Sequence, residues 1–134
     1  MTTPLTYTIA IHGSPYASMA HHRGLKFCTA ALASGHTINR IFFYHDAVYV
    51  ALNTTVAPQD EIDLTGAWRD LSNTHNIELA VCIANGLKRG VVSDDEANRY
   101  ELDHGTLANS FELVGLGQLI DGIAGADRYL EFPA

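Results

Sequence analysis

Five short apolar runs, separated by segments with helical spacing, constrain the fold of this chain more than any other feature. The runs are rich in β-favouring residues and end at turn residues, as strands do; they cover residues 6–12, 37–44, 77–83, 111–114 and 128–132. This alternation predicts an α/β fold in which helices cover both faces of a mainly parallel five-stranded sheet. A chain of 134 residues suits one domain, so we expect a single three-layer α/β/α domain over residues 1–134.

The segments between these runs carry helix start and stop signals. Ser18 is the predicted N-cap of the first helix and Gly35 its left-handed terminator, while Ser93 and Glu96 form a capping box. An acidic first turn, with Asp60, Glu61 and Asp63, favours a helix soon after Pro58. We therefore expect helices over residues 18–34, 60–75, 93–102 and 115–124. Residues 48–58 are expected to form an irregular loop that exposes Tyr49, Val50 and Leu52.

Composition narrows the classes of function. The net charge of −7 argues against direct nucleic-acid binding, which needs clustered Lys and Arg. No apolar run is long enough to span a membrane, so no membrane association is expected. The N-terminal residues show no secretion signal, and the two cysteines have no C-x-x-C spacing. We expect a cytoplasmic protein with free thiols, without a metal or an organic cofactor.

Cys82 is the penultimate residue of the third apolar run, after which the chain passes through Ala84-Asn85-Gly86 into a short helical turn closed by Gly90. In an open α/β sheet, sites are usually built beyond the carboxyl ends of the strands. The N–H groups of the following turn stabilise a thiolate there, and Lys88 and Arg89 add positive charge nearby. The sequence therefore predicts Cys82 as a nucleophile. A cysteine that only fills the core fits the same spacing equally well.

Other residues with chemical potential have simpler interpretations. Cys28 lies on the apolar stripe of the first predicted helix and is expected to be a core residue. The adjacent His21 and His22 cannot both bind one metal from a helix, and we expect them at the surface. His45 follows the second strand and is a secondary candidate, as a proton shuttle or a substrate-orienting group. Gly13-Ser14 lacks the pattern of a phosphate-binding loop.

The segment around Cys82 resembles the DsrE/TusD family of sulfur-carrier proteins. In that family a strand-end cysteine is followed by small residues, a basic pair and Gly-Val, and Cys82, Lys88-Arg89 and Gly90-Val91 stand at the matching positions. Further features occur in the same order between about Tyr7 and Phe132: Phe42-Phe43-Tyr44 with Val48-Tyr49, Glu61-Ile62-Asp63-Leu64 with Ala67-Trp68, and Gly115-Leu116-Gly117.

The resemblance implies a DsrE-like fold and a sulfurtransferase subunit that carries sulfur as a persulfide on Cys82. Lys88 and Arg89 would stabilise the anionic sulfur. It also implies TusB-like and TusC-like subunits in a heterohexamer, a TusA-like sulfur donor and a TusE-like acceptor. The final product would be tRNA thiolated at carbon 2 of the wobble uridine.

Three alternatives stay open. The chain could be a DsrE-type carrier in dissimilatory sulfur oxidation. It could be a non-catalytic assembly subunit in which Cys82 is incidental. It could also be a small-ligand or nucleotide-binding α/β domain.

Overall fold

A computed structural model describes residues 3–134, which form five β-strands, five α-helices and one 3₁₀ helix. The strands are β1 (Thr6–Ile11), β2 (Thr37–Phe43), β3 (Glu78–Cys82), β4 (Phe111–Val114) and β5 (Arg128–Phe132). The helices are α1 (Ala20–Ala33), α2 (Leu64–His75), α3 (Ile83–Lys88), α4 (Asp94–Arg99) and α5 (Gly117–Ala124), and the 3₁₀ helix is His45–Ala51. Residues 1 and 2 of the predicted domain lie outside the described range.

All five strands belong to one sheet, in the order β4-β3-β2-β1-β5, and every pairing between neighbours is parallel. The predicted α/β class and five-stranded parallel sheet are thus confirmed. The chain moves in one direction across the sheet from β1 to β4 and then crosses back to β5. Because parallel crossovers are right-handed, this reversal places α5 on the face opposite α1 and α2. The sheet therefore has helices on both faces.

The face under α1 and α2, which we call the major face, holds the main core. Its centre consists of strand residues such as Ile9, Ile41 and Phe43, with Leu64 and Trp68 packed on them from α2. The indole of Trp68 meets the ring of Phe43 edge-on, at a centroid distance of 5.3 Å. Each of these side chains is fully buried and contributes about 1.5–3 kcal/mol through removal of apolar surface from water.

The opposite face, which we call the minor face, holds a much smaller apolar cluster. Phe42, Ala80, Cys82 and Val114 form its buried part. Their positions follow from the two-residue period of strands, because each lies next to a strand residue of the major face. Leu119 of α5 packs against this cluster. The minor face therefore has one covering helix and few large side chains.

Polar contacts hold α5 on the minor face. Thr8 donates from Oγ1 to the carbonyl oxygen of Gly122 at 2.6 Å. Arg40 donates from Nη1 to the carbonyl oxygen of Gln118 at 2.5 Å and forms an ion pair with Glu78 at 2.7 Å. A Cβ atom at Gly122 would approach Thr8 to 3.1 Å, so glycine permits this close contact between helix and strand. These contacts hold α5 over the sheet beside the Cys82 cluster.

The structure corrects four details of the predicted elements. The first helix begins at Ala20 rather than Ser18, although Ser18 Oγ does accept a hydrogen bond from Ala20 N. The second begins at Leu64, because Asp63 is its N-cap and accepts from Gly66 N. The fourth helix ends at Arg99 rather than near residue 102, since residue 101 adopts a left-handed conformation. Residues 48–51 are helical rather than irregular.

Two predictions of exposure were also wrong. Val50 is buried in the main core, because the 3₁₀ helix turns it inward, whereas Tyr49 is exposed as expected and Leu52 is partly buried. His21 is fully buried on the inner side of α1, while the ring of the adjacent His22 is only partly buried. Adjacent helical residues point about 100° apart, so only one of the two histidines faces the core. Gly35 terminates its helix in the left-handed region, as predicted, and Gly90, predicted only to close its helical turn, is left-handed as well.

Candidate functional site

Cys82 is at once the last residue of β3 and the N-cap of α3. The strand ends here because the chain turns directly into a helix of six residues, which Gly90 then closes with a φ of +78°. The side chain is 5% exposed and belongs to the minor-face cluster. The structure therefore confirms that Cys82 lies at the carboxyl end of a strand, as predicted.

The register of the sheet determines which side chains lie beside Cys82. Cys82 pairs with Val114 on β4, and the preceding residue, Val81, pairs with Phe43 on β2. One residue further along, Tyr44 continues beside β1 through a hydrogen bond from its N–H to Ile11 O, at 2.9 Å. Tyr44 is partly buried and packs against the cluster that contains Cys82. Cys82 and Tyr44 thus occupy neighbouring places at one edge of the sheet.

Two histidines complete this edge. The ring of His12, the residue after β1, lies 5.6 Å from the ring of Tyr44 and 5.9 Å from that of His45. The rings of Tyr44 and His45 are 4.3 Å apart, edge to face. We call these three residues the aromatic trio. It brings two imidazoles and a phenol to the carboxyl ends of β1 and β2, next to the end of β3 that carries Cys82.

Asn85 ties the aromatic trio to α3. It is buried in the first turn of α3, three residues after Cys82, and its Oδ1 accepts the backbone N–H of His45 at 2.7 Å. His45 has a φ of +49°, an uncommon value for a residue with a side chain. Backbone strain of this kind persists only where surrounding contacts hold it, and Asn85 supplies one such contact. The position of His45 therefore depends on the turn that follows Cys82.

The predicted basic pair lies at the other end of α3. A helix rises 1.5 Å per residue, so Lys88 and Arg89 lie roughly 9 Å along the axis from Cys82. Arg89 forms an ion pair with Asp46 at 2.8 Å and donates to the carbonyl oxygen of Asn85 at 3.2 Å. Lys88 is exposed and borders a shallow apolar groove with Leu87, Val92, Tyr100 and Leu102. Arg89 thus ties α3 to the start of the 3₁₀ helix.

Cys28 lies in a different environment. It is in the middle of α1, fully buried in the main core. Burial raises the pKa of its thiol to about 12, because the core disfavours the thiolate. The thiolate is the nucleophilic form, so this cysteine is inert at neutral pH. Its predicted place in the core is confirmed.

His21 shows how a buried histidine can be wholly structural. Its Nδ1 accepts the indole N–H of Trp68 at 3.0 Å, so its Nε2 is the nitrogen that donates to Gly13 O, also at 3.0 Å. Burial lowers the pKa of His21 to about 4, the bond to Gly13 opposes this effect, and the neighbouring His22 adds to it. The ring therefore stays neutral near pH 7 and anchors the loop after β1 to the core.

Sequence reasoning identified Cys82 and His45 but missed His12, Tyr44 and Asn85 as their neighbours. The strand order places the ends of β1, β2 and β3 side by side, and that order cannot be deduced from periodicity. One signal was present, since His12 is the last residue of one predicted strand and His45 directly follows another. Parallel strands end at a common edge, so such residues meet when their strands are adjacent.

Comparison with known proteins shows which family the chain belongs to. The model of the DsrE/DsrF-like family matches residues 6–132. The chain belongs to the DsrE/DsrF-like family. Within it, a protein named sulfurtransferase TusD homolog from Pseudomonas aeruginosa is 44% identical, over 96% of this chain and 97% of its own length. The TusD homolog from Vibrio vulnificus is 41% identical, over 96% and 98%.

Two further relatives extend the comparison. DsrE from Allochromatium vinosum is 34% identical, over 96% of this chain and 98% of its own length. The crystal structure of the ychN protein from Escherichia coli superposes with a TM-score of 0.76 and 21% identity, over 95% of this chain and 98% of that one. This last likeness supports the fold alone. The family therefore includes proteins named as sulfurtransferases, and sulfur transfer is the activity at family level. No helix within residues 3–134 is long and apolar enough to cross a membrane.

Proposed function

We propose that this chain is a sulfurtransferase subunit that accepts sulfur from a donor protein as a persulfide on Cys82 and passes it to an acceptor protein. The observation that carries the proposal is the contrast between its two cysteines. Cys82 ends a strand at the carboxyl edge of the sheet and is 5% exposed, whereas Cys28 lies in the middle of α1 and is fully buried in the main core. Membership of a family with named sulfurtransferases gives this contrast its chemical meaning.

The chemistry is thiol exchange with one additional sulfur. The Cys82 thiolate attacks the terminal sulfur of the donor's persulfide, so that a new S–S bond forms on Cys82. The donor's own S–S bond breaks, and its electron pair leaves on the donor thiolate. An acceptor thiolate then attacks the terminal sulfur on Cys82 in the same manner. Neither transfer changes the total oxidation state, so neither needs an external oxidant or reductant.

Three other residues have proposed supporting roles. Lys88 and Arg89, at the far end of α3, stabilise the anionic sulfur by longer-range positive charge, and for Arg89 this role must coexist with its ion pair to Asp46. His45 acts as a proton shuttle at the edge that carries Cys82. The proposal needs no metal and no organic cofactor.

The resemblance to TusD suggests the surroundings of this reaction. TusB-like and TusC-like subunits would complete a heterohexamer, a TusA-like protein would donate the sulfur, and a TusE-like protein would receive it for 2-thiolation of the tRNA wobble uridine. The acidic chain would not bind the tRNA itself, since its net charge is −7. A cytoplasmic location belongs to the same proposal, because the relay requires reduced thiols.

Two alternatives have a specific observation in their favour. The 34% identity to DsrE favours a carrier in dissimilatory sulfur oxidation as the second candidate. The low exposure of Cys82 favours an assembly subunit in which this cysteine is incidental. Reconstitution with acceptors from either pathway distinguishes a carrier for tRNA thiolation from a carrier for sulfur oxidation. Sulfur uptake by the cysteine variants distinguishes a carrier from an assembly subunit.

Intact-protein mass spectrometry after incubation with a persulfidated donor tests the proposal. The unsubstituted chain and Cys28→Ser should each gain one sulfur atom that a reductant removes, and Cys82→Ser should gain none. Cys28→Ser is the matched control, because it removes the other thiol by the same substitution. Sulfur uptake by Cys82→Ser, or no uptake by any of the three with a donor that is competent toward another acceptor, would contradict the proposal.

A further inference from the structure

The aromatic trio brings two imidazoles to the edge of the sheet that carries Cys82, and the relay described above does not yet use His12. Within residues 3–134 neither His12 nor His45 has a hydrogen-bond partner for its ring nitrogens, although the backbone N–H of His45 is held by Asn85. This differs from His21, whose two nitrogens are both engaged in the core. The ring nitrogens of both imidazoles are therefore available to an incoming substrate.

A general acid would assist sulfur transfer only from a particular distance. When the Cys82 thiolate attacks a persulfide, the leaving sulfur lies two S–S bonds away, about 4 Å from Cys82 Sγ, because each bond is about 2.05 Å. An alkyl sulfur can leave as the thiolate, and it leaves faster when a general acid gives it a proton as the S–S bond breaks. The proton donor should therefore lie beyond Cys82, near the leaving sulfur, and need not touch the thiol.

The sheet register places His12 in the corresponding region. Adjacent strands are about 4.8 Å apart, so the ends of β1 and β3, with β2 between them, are separated by about 10 Å. His45 lies 5.9 Å from His12, and Asn85 holds its backbone against α3, on the Cys82 side. A donor persulfide seated over Cys82 would have its leaving sulfur between Cys82 and these two rings.

We propose that His12 acts with His45 as an imidazole pair that protonates the leaving sulfur when Cys82 takes sulfur from a donor persulfide. This inference rests on the proposed function. In the step, the S–S bond of the donor breaks as the S–S bond on Cys82 forms, and the electron pair remains on the donor sulfur. One imidazolium of the pair gives its proton to that sulfur, becomes neutral, and regains a proton from solvent. The other imidazole of the pair serves as a second proton donor at the same place.

The test compares two reactions of Cys82 that differ in whether a general acid can assist the leaving group. All variants carry Cys28→Ser, so that Cys82 is the only thiol. Sulfur transfer from glutathione persulfide releases an alkyl sulfur whose departure a proton donor speeds, whereas alkylation by iodoacetamide releases iodide, which gains nothing from a proton donor. General acid catalysis contributes about 100-fold or more, so the double variant His12→Gln with His45→Gln should transfer sulfur about 100-fold more slowly. Each single variant should lose part of that rate, and alkylation should stay within about twofold in all of them.

His104→Gln is the matched control, since His104 is exposed in a loop after α4. It should leave both rates unchanged. Unchanged sulfur transfer in the double variant would overturn the inference while leaving Cys82 as the carrier. An equal loss of alkylation and transfer would overturn it too, because the histidines would then only shape access to the thiol. No sulfur transfer to the parent chain would instead refute the proposed function.

Discussion

The two faces of the sheet differ in what their side chains do. The major face has large apolar residues, two covering helices and an interior histidine with both nitrogens bonded. The minor face has a small cluster under one helix, and its edge carries Cys82 and the aromatic trio. Each face holds one cysteine, and only Cys82, on the thinly covered face, lies at the end of a strand. Stability and chemistry are therefore concentrated on different sides of the same five strands.

The largest effect should come from removing the centre of the major face. Trp68→Ala deletes a fully buried indole and leaves Nδ1 of His21 without its donor, so it should lower the free energy of unfolding by about 4 kcal/mol. The matched change on the minor face is Leu119→Ala, which removes a partly buried side chain and should cost about 1 kcal/mol. Urea-induced unfolding measures both, and equal losses would contradict the asymmetry between the faces.

The second effect is a dependence of stability on pH that originates on the major face. The pKa of His21 is about 4 in the folded chain, against 6.5 for an ordinary histidine. Between these values the unfolded state binds more protons than the folded state, so stability rises with pH. The contribution of His21 is fully present above about pH 6.5 and is lost progressively as the pH falls toward 4, to a total of about 3 kcal/mol.

Unfolding free energies at pH 7.5 and pH 4.5 measure this dependence. The non-titrating variant His21→Gln should show a shallower slope over that interval than the unsubstituted chain. His104→Gln, at an exposed position, should keep the full slope. The same slope in His21→Gln would show that other groups cause the acid sensitivity.

The smallest effect concerns the ion pair between Asp46 and Arg89. It is partly exposed, so Arg89→Gln should change the free energy of unfolding by no more than about 1 kcal/mol. The effect of Arg89→Gln on sulfur uptake distinguishes two possible roles of Arg89. If Arg89 stabilises the anionic sulfur, Arg89→Gln slows uptake while Asp46→Asn does not. If Arg89 only ties α3 to the 3₁₀ helix, the two variants should behave alike.

Much of this architecture could be predicted from the sequence, because strands and helices have different apolar periods. The five strands, and the placement of Cys82 at a strand end, came from such local patterns. The left-handed turns at Gly35 and Gly90 were equally local, since they need only a residue without a side chain. The strand order was not accessible, because it depends on packing between segments far apart in the chain.

The same limit explains what the sequence missed at the site. His12 and Asn85 are ordinary polar residues until the sheet brings β1, β2 and β3 together. His21 was predicted at the surface because its partner, Trp68, is 47 residues away, and a buried polar ring is stable only with its partners in place. Errors of this kind occur where a side chain depends on distant contacts rather than on its neighbours in sequence.

The central claim is that the minor-face cysteine carries the sulfur. The most direct measurement is peptide mapping of the unsubstituted chain after incubation with a persulfidated donor and trapping with iodoacetamide. We expect the alkylated persulfide on the peptide that contains Cys82, and an unmodified thiol at Cys28. A persulfide on Cys28, or one divided equally between the two cysteines, would contradict the account.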